Sequence, residues 1–191
     1  MVTIKPITRS CLLLAGLLLF LLASGTARAG INMYLSIANS SGPISGEVTN
    51  TGFVGDIWVT NFSWSVANSD TAVGVPVQTK PVFGALTITK TLDLASPVLM
   101  EDCAVSQPIT SAVLSFQSQL GIQPVFYTIT LANGFVTSVN SSGSTADGRP
   151  LETITLIYNK ITWEYQQLDQ NGNPVGSRVK HSYDLSTGTG S

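Results

Sequence analysis

The chain has 191 residues with a formal net charge of −2, and only 10% of its side chains are charged. Residues 30–191 hold six basic and eleven acidic residues, so this part of the chain is acidic and fits one compact domain. So few basic side chains exclude the extended positive surface on which binding to nucleic acid or to an anionic membrane depends.

The first 29 residues have the three parts of a secretory signal peptide. Lys5 and Arg9 precede an uncharged apolar run over 11–23, which is shorter than the about 20 residues that span a membrane. Cleavage is expected at the small residues Ala27, Ala29 and Gly30. We therefore predict a signal peptide over 1–29 and an exported domain over 30–191, which would be secreted or periplasmic. Translation from Met33 would instead leave the protein in the cytoplasm.

Beyond the signal peptide, the sequence is typical of β-strands. Apolar and polar residues alternate with a period of two in segments rich in β-branched and aromatic residues. These segments are 33–37, 57–66, 83–92, 109–117, 126–140, 152–166 and 175–185. A segment over 68–81 interrupts the pattern, and a loop of that length in a compact domain is usually functional or disordered.

Parity within each segment predicts which side chains share a face. In 57–66 they are Trp58, Phe62, Trp64 and Val66. In 109–117 the core candidates are Val113 and Phe116. In 126–140 they are Tyr127, Ile129, Leu131, Phe135 and Val139. In the last segment they are Val175, Val179, His181, Tyr183 and Leu185.

Irregularities in three places predict turns or bends. Asn133-Gly134 is either a hairpin turn or a bend in one continuous strand, because the parity runs through it unchanged. The apolar parity of 152–166 shifts near Asn159-Lys160, which predicts a β-bulge or a strand that changes sheets. Residues 169–174 read as a hairpin turn, with Asn171-Gly172 suited to positive φ.

One short helix is predicted between the third and fourth strand segments. Ser96 is the expected N-cap and Pro97 the first helical residue, and Pro108 closes the segment. Glu101 and Asp102 read as surface charges that favour the helix dipole, whereas Cys103 reads as a small buried hydrophobe. The sequence therefore predicts a mainly β barrel or sandwich with one inserted helix.

Several segments resemble the Hcp family, the tube protein of bacterial type VI secretion systems. MYLSI at 33–37 and 57–64 are similar to the first two strands of the family, and 126–139 and 152–165 are similar to its late strands. The most specific stretch is LTITKTLDLASPVL at 86–99, a strand-to-helix passage marked by Lys90, Asp93, Ser96 and Pro97. The resemblance covers 31–186.

The resemblance implies a two-sheet β-barrel with one short inserted α-helix, assembled as a six-membered ring around a wide channel. Rings of the family stack into a tube, and effector cargo lies in the channel, so the implied partners are further copies, secretion-system components and cargo. The loop over 68–81 corresponds to the loop that reaches the neighbouring ring. Its residues of interest are Asn68, Val75, Pro76, Lys80 and Pro81.

Residue types that carry catalysis are sparse. No nucleophile elbow, paired-histidine zinc motif or phosphate loop occurs in 30–191, so we expect no catalytic, metal or cofactor site. Trp58, Trp64 and Trp163 read as core or subunit contacts, and His181 reads as a packed structural histidine. The leading interpretation is an exported, non-enzymatic, ring-forming protein. The alternatives are a secreted binding module or adhesin without a ring, and a small hydrolase that depends on His181.

Overall fold

A computed structural model describes residues 30–68, 80–146 and 148–191, and these residues form twelve strands and one helix. In chain order the elements are β1 (Ile31–Asn39), β2 (Gly42–Ile44), β3 (Ile57–Val59), β4 (Asn61–Ser63), β5 (Val66–Ala67), β6 (Val82–Phe83), β7 (Leu86–Thr91), α1 (Ser96–Val105), β8 (Pro108–Ser118), β9 (Val125–Ser142), β10 (Leu151–Tyr165), β11 (Val179–Asp184) and β12 (Thr189–Gly190). The predicted fold class, mainly β with two sheets and one short helix, is confirmed.

The ten-stranded sheet closes into a barrel. β1 pairs with β8 along one edge and with β3 along the other, and the chain continues from β3 into β4 after a bend at Thr60. β4 pairs with β7, β7 with β10, β10 with β9, and β9 with β8, so the circuit of antiparallel pairs returns to its start. Closure removes free strand edges from these strands.

The bend at Thr60 corrects the predicted face of Trp58. β3 pairs with β1 and β4 pairs with β7, so 57–66 is not one strand with one continuous face. Ile57 and Val59 are buried, and Trp58 between them is 37% exposed on the opposite side. A parity rule that runs across a change of partner assigns such a residue to the wrong face.

The long strands β9 and β10 reverse their faces together. β9 is continuous through Asn133, which has φ 54°, so the hairpin alternative is wrong and the bent strand is confirmed. Asn133 lies opposite Asn159, between the rungs that pair Tyr158 with Gly134 and Lys160 with Ala132. The buried parity changes on both strands at this rung, as predicted for β10. Phe135 is consequently exposed, contrary to its predicted face.

On the side away from β9, β10 pairs with two different strands, one before the reversal and one after it. Its first half, up to Leu156, pairs with β7, and its second half, from Lys160, pairs with β11. The sheet thus leaves the closed barrel and extends as β11 and β12. The predicted shift of parity near Asn159-Lys160 is confirmed, but β10 changes partners within one sheet instead of changing sheets, and its register shift lies between Thr155 and Leu156.

The single face predicted for the last segment is wrong in its first half. Tyr183 and Leu185 pack against the core, but Val179 and His181 are exposed. His181 lies opposite Trp163, at a part of β11 that has no strand on its other side among the described elements, because β12 pairs only with Tyr183 and Asp184. The turn over 169–174 is confirmed, although only Gly172 of the predicted pair takes a positive φ.

In β8 the prediction is half correct. Phe116 is buried with Ala112 and Leu114, whereas Val113 points to the other face and is half-buried. The core they join fills the barrel with Leu, Ile and Val side chains from β1, β3, β7, β8, β9 and β10. It gives the barrel a rigid frame on which the strand-to-helix passage sits.

Candidate functional site

The strand-to-helix passage brings three of its four marked residues into one buried cluster. Lys90 is the last inward-facing residue of β7, and Asp93 and Ser96 lie on the turn into α1. Glu152, which sequence reasoning did not single out, joins them because it is paired directly with Lys90 across β7 and β10. We call Lys90, Asp93, Ser96 and Glu152 the junction cluster.

Lys90 is the centre of the junction cluster, with a side chain that is 0% exposed. Its ammonium lies 2.7 Å from Asp93 Oδ1 and 2.9 Å from Glu152 Oε2. It also donates hydrogen bonds of 2.9 Å to Ser96 Oγ and to the carbonyl oxygen of Thr91. A buried charge is tolerated when it is paired and fully hydrogen-bonded, which is the condition met here.

Ser96 ties the first turn of α1 to the barrel. Its hydroxyl donates to Glu152 Oε2 at 2.5 Å and accepts the Asp93 backbone N–H at 3.0 Å. The helix begins at Ser96, and Ala95 is its N-cap. The predicted N-cap, Ser96, is thus wrong by one position. Pro97 follows within the first turn and is exposed, so it is the marked residue that lies outside the junction cluster.

The electrostatics of the junction cluster favour an ionised Glu152. Burial alone would raise the pKa of this carboxyl, but hydrogen bonds from Ser96 and Lys90, the charge of Lys90 and a hydrogen bond from Ser141 outweigh it. The pKa of Glu152 consequently lies below its ordinary value. The cluster has no exposed reactive group, so its role is to fasten α1 to β7 and β10.

Glu152 carried a signal in the sequence. It shares the parity of Ile154 and Leu156, so its side chain had to point into the core beside them. Lys90 likewise shares the parity of Leu86 and Ile88. An acid and a base at core parity on two strands indicate a buried pair, but only the register of β7 against β10 shows that the two meet.

A second buried carboxylate corrects the prediction for the helix. Asp102 is 4% exposed and accepts hydrogen bonds from Asn39 Nδ2 to both carboxylate oxygens, at 3.1 and 3.0 Å. It lies beyond the first turn of α1, so it is not the dipole-favouring surface charge predicted from sequence. Glu101 beside it is exposed. Cys103, predicted to be a small buried hydrophobe, packs against the core but is only half-buried.

The predicted ring-stacking loop begins and ends at a short hairpin. β5 and β6 pair with each other, Val66 with Phe83 and Ala67 with Val82. Asn68 follows β5, and Lys80 and Pro81 precede β6. Val75 and Pro76 lie outside the described residues, as do Ala27 and Ala29 of the predicted cleavage site, whereas Gly30 is described and exposed.

The three tryptophans differ in their surroundings. Trp64 and Trp163 pack with Phe83 and Tyr183 in an aromatic cluster, and Trp64 Nε1 donates to the hydroxyl of Tyr158 at 2.5 Å. Trp58 instead packs on Tyr34 with its other side exposed. The core interpretation is therefore confirmed for two of the three residues.

Apolar side chains are exposed along α1 and on the barrel beside it. Val98 and Met100 are each more than a third exposed, and Val105 is 63% exposed. Phe135 and Ile157, which face each other across β9 and β10, line a cavity of about 450 Å³ with Cys103. Clustered exposed apolar side chains, such as Phe135 and Ile157, mark interaction surfaces.

Two classes of site find no support among the described residues. No helix there is both long and apolar enough to cross a membrane. Within residues 30–68, 80–146 and 148–191, no three His, Cys, Asp or Glu side chains gather in a way that could hold a metal ion.

Comparisons with known proteins agree with this architecture. Protein hcp1 of Pseudomonas aeruginosa is 31% identical over 101 residues, which are 52% of this chain and 62% of that protein. A solved structure described as a type six secretion system protein has a TM-score of 0.77 at 28% identity, over 85% of this chain and 100% of that one. Hcp1 of Salmonella typhimurium, at 23% identity, shares the fold with a TM-score of 0.67 over 82% of this chain and 96% of its own.

The family match extends from the first strand of the barrel to the end of its longest strand pair. The model described as "Type VI secretion system effector, Hcp" matches residues 34–165, which run from β1 to the end of β10 and make up more than half of the chain. The chain therefore belongs to the Hcp family of type VI secretion systems.

Proposed function

We propose that this chain is a tube subunit that assembles as a homohexameric ring and is exported through the general secretory route. Hcp proteins are structural tube proteins and not enzymes, so the activity expected of this chain is assembly. The observation that carries the proposal is the match of its barrel to the whole of a type six secretion system protein. Effector cargo and other secretion components are the further partners proposed.

Exposed apolar groups support self-assembly. Val98, Met100 and Val105 on α1, together with the cross-strand pair Phe135 and Ile157, remain uncovered in a single chain. Assembly would bury them, and apolar burial contributes roughly 25 cal/mol per Å² of surface removed from water. A closed ring buries the same surfaces on every copy, because every copy makes the same contacts with its neighbours.

One outer face of the barrel has the composition that a channel wall would need. It spans β4, β7, β10 and β9 and carries uncharged hydroxyl and amide side chains. Two rungs form it, Asn61–Thr89–Thr153–Asn140 and Ser63–Thr87–Thr155–Ser138. A face without charges would not retain a passing protein through ion pairs, so we propose that it lines the channel.

The hairpin base at β5 and β6 supports a role for the loop over 68–81 in stacking. Both strands pair only with each other among the described elements, so the residues that flank the loop are paired apart from the ten-stranded sheet. We propose that the loop over 68–81 contacts the next ring. Loss of tube formation with retention of single rings, on shortening this loop, would be the expected result in electron micrographs.

Sizing of the purified protein tests the ring. Analytical ultracentrifugation should give a hexamer, and negative-stain images should show rings with a central hole. A monomer at all concentrations would overturn the proposal. It would favour instead a secreted binding module or adhesin, for which the half-exposed Trp58 is the candidate contact residue.

Cell fractionation tests the export. The full chain with a C-terminal tag should appear in the periplasm or medium, with Gly30 as the N-terminal residue by mass spectrometry. Ala29→Leu, which enlarges the predicted cleavage position, should leave a longer, uncleaved product. A protein that starts at Met33 serves as the cytoplasmic control. Full-length protein confined to the cytoplasm would contradict export.

A further inference from the structure

The predicted cleavage site lies directly against the first strand of the barrel, with no spacer between them. Cleavage after Ala29 makes Gly30 the first residue of the mature chain, and β1 begins at the next residue, Ile31. Gly30 is exposed, but its backbone is already attached to the sheet, because its carbonyl oxygen accepts a hydrogen bond of 3.1 Å from the backbone N–H of Gln119. The residue that follows the scissile bond is therefore held by the folded barrel.

The side chain of Gln119 holds the same point from a second direction. Its Nε2 donates a hydrogen bond of 2.7 Å to Asn32 Oδ1. Its Oε1 lies so close to Gly30 that a Cβ placed on that glycine would be 2.5 Å from it. The amide of Gln119 thus fills the space beside Gly30, where a protease would have to bind the residue that follows the scissile bond.

β1 cannot be lifted from the barrel near its start without breaking buried contacts. It pairs with β8 from Ile31 onward, and Met33 is also paired with Val59 of β3. Tyr34 is 0% exposed and Leu35 is 1% exposed, so detaching this stretch opens the packing on both faces of the strand. Proteolysis concentrates in exposed segments whose backbone is not tied down, and this stretch is the reverse case.

We propose that the Ala29–Gly30 bond is hydrolysed before β1 joins the barrel, and that a precursor which folds first resists the signal peptidase. The inference rests on the proposed export and cleavage, and adds the order of the steps. Water is the second reactant of the hydrolysis, which leaves a carboxylate on Ala29 and an ammonium group on Gly30. The order follows because a chain with an unpaired first strand leaves Gly30 free of Gln119, whereas the folded chain does not.

Folding and processing therefore compete for the same residues. A precursor that has already folded can be cleaved only during the fraction of time in which β1 is detached. When detachment and re-pairing are faster than cleavage, the cleavage rate follows the population of the detached form. The chain must consequently reach the peptidase unfolded, which is a requirement on the export machinery that delivers it.

Four precursors that retain residues 1–29 test this order. The first is the wild type, and the second carries six Gly and Ser residues inserted between Gly30 and Ile31, which extend to about 20 Å. The third and fourth are the same two chains with Leu114→Asp, which puts a charge at a position that is 0% exposed and should prevent folding. Each is incubated in detergent with a bacterial signal peptidase, and mass spectrometry measures the rate at which the product that starts at Gly30 appears.

The spacer should separate cleavage from folding. Without it, Leu114→Asp should accelerate cleavage about tenfold or more, because it leaves β1 unpaired. With it, the folded and unfolded precursors should be cleaved at similar rates. Circular dichroism checks which precursors are folded, and Ile154→Asp, at another buried core position, replaces Leu114→Asp if that variant folds.

The possible failures are distinguishable. If none of the four precursors yields a product that starts at Gly30, the proposed cleavage site is wrong. If the folded wild type is cleaved as fast as the unfolded chain, the cleavage stands and the proposed order is wrong. The order is also wrong if the spacer fails to make the folded precursor cleavable, since the pairing of β1 next to the bond would then not be the cause of the resistance.

Discussion

At the scale of single residues, the junction cluster shows how a lysine can be a core residue. The ammonium of Lys90 has two carboxylates, a hydroxyl and a carbonyl oxygen within 2.9 Å. Because Ser96 is also in the first turn of α1, the positive end of the helix dipole lies beside Glu152 and Asp93. Stability at this junction therefore depends on all partners being present.

Lys90→Met should destabilise the protein strongly. It leaves the carboxylates of Asp93 and Glu152 without a cation, and breaking a buried pair in this way typically costs about 3–5 kcal/mol. Urea denaturation at a concentration where the protein is monomeric measures the free energy of unfolding. The double variant Lys90→Met/Glu152→Gln should lose less than the sum of the two single losses. A loss for Lys90→Met no larger than that for the exposed Lys80→Met would contradict a stabilising role.

The lowered pKa of Glu152 predicts a pH dependence of known sign. The unfolded chain, with a glutamate pKa of about 4.3, binds more protons than the folded one as the pH falls, so the stabilisation is present above this value and is lost through the lower folded pKa. The difference in unfolding free energy between wild type and Glu152→Gln should therefore be constant near neutral pH and shrink in acid. A difference that grows in acid would show that the folded pKa is raised.

At the scale of elements, the paired reversal in β9 and β10 decides which residues are exposed. Asn133 tolerates its positive φ better than most residues because its short polar side chain fits that backbone region. The next residue, Gly134, is buried directly against the backbone of β10, where a Cβ would overlap the carbonyl oxygen of Ile157. The bend thus needs an asparagine-like residue followed by glycine.

Gly134→Ala should lower the free energy of unfolding by about 1–3 kcal/mol, the usual cost of forcing atoms into a filled space. The strand backbones would have to separate, which weakens the pairing of β9 with β10. Gly190→Ala is the matched control because its Cβ would make ordinary contacts with Ser182 and Tyr183. Equal stability of the two variants, by thermal or urea unfolding, would show that the close approach imposes no constraint.

The sequence was sufficient for the long strands, the helix and the position of the β10 shift, because each rests on local periodicity. It did not show the breaks that divide 57–66 into β3, β4 and β5 and that separate β6 from β7. It was insufficient where a partner strand decides the outcome. Trp58 and Phe135 received the wrong face because parity is lost at a bend or a positive φ. Asp102 appeared to be a surface charge because its partner Asn39 is 63 residues away. Glu152 needed the register between two strands before its role was apparent.

At the scale of the whole molecule, the closed barrel and the β5–β6 hairpin differ in the strand pairing that supports them. β9 and β10 each pair with a strand on both sides, whereas β5 and β6 pair only with each other among the described elements. Val66 and Val82 of this hairpin are also exposed. The molecule therefore combines a closed barrel with one less supported hairpin.

Hydrogen exchange should separate these parts. Backbone amides in the middle of β9 and β10 should exchange only through global unfolding. Those of β5 and β6 should exchange through local opening, because the two strands pair only with each other and three of their four residues are exposed, although Phe83 packs in the aromatic cluster. Mass spectrometry of exchanged peptides measures both in the same sample. Assembly into rings should leave the barrel pattern unchanged. If the amides of β5 and β6 were as protected from exchange as those of β10 in unstacked protein, the hairpin would not open independently of the barrel.

The complete burial of Lys90 also makes it a chemical reporter of the native state. An amine-reactive reagent should modify the exposed Lys80, Lys160 and Lys180 in the folded protein and leave Lys90 unmodified, since a reagent reaches only solvent-exposed amines. Labelling at Lys90 would then count the molecules that have opened their barrels.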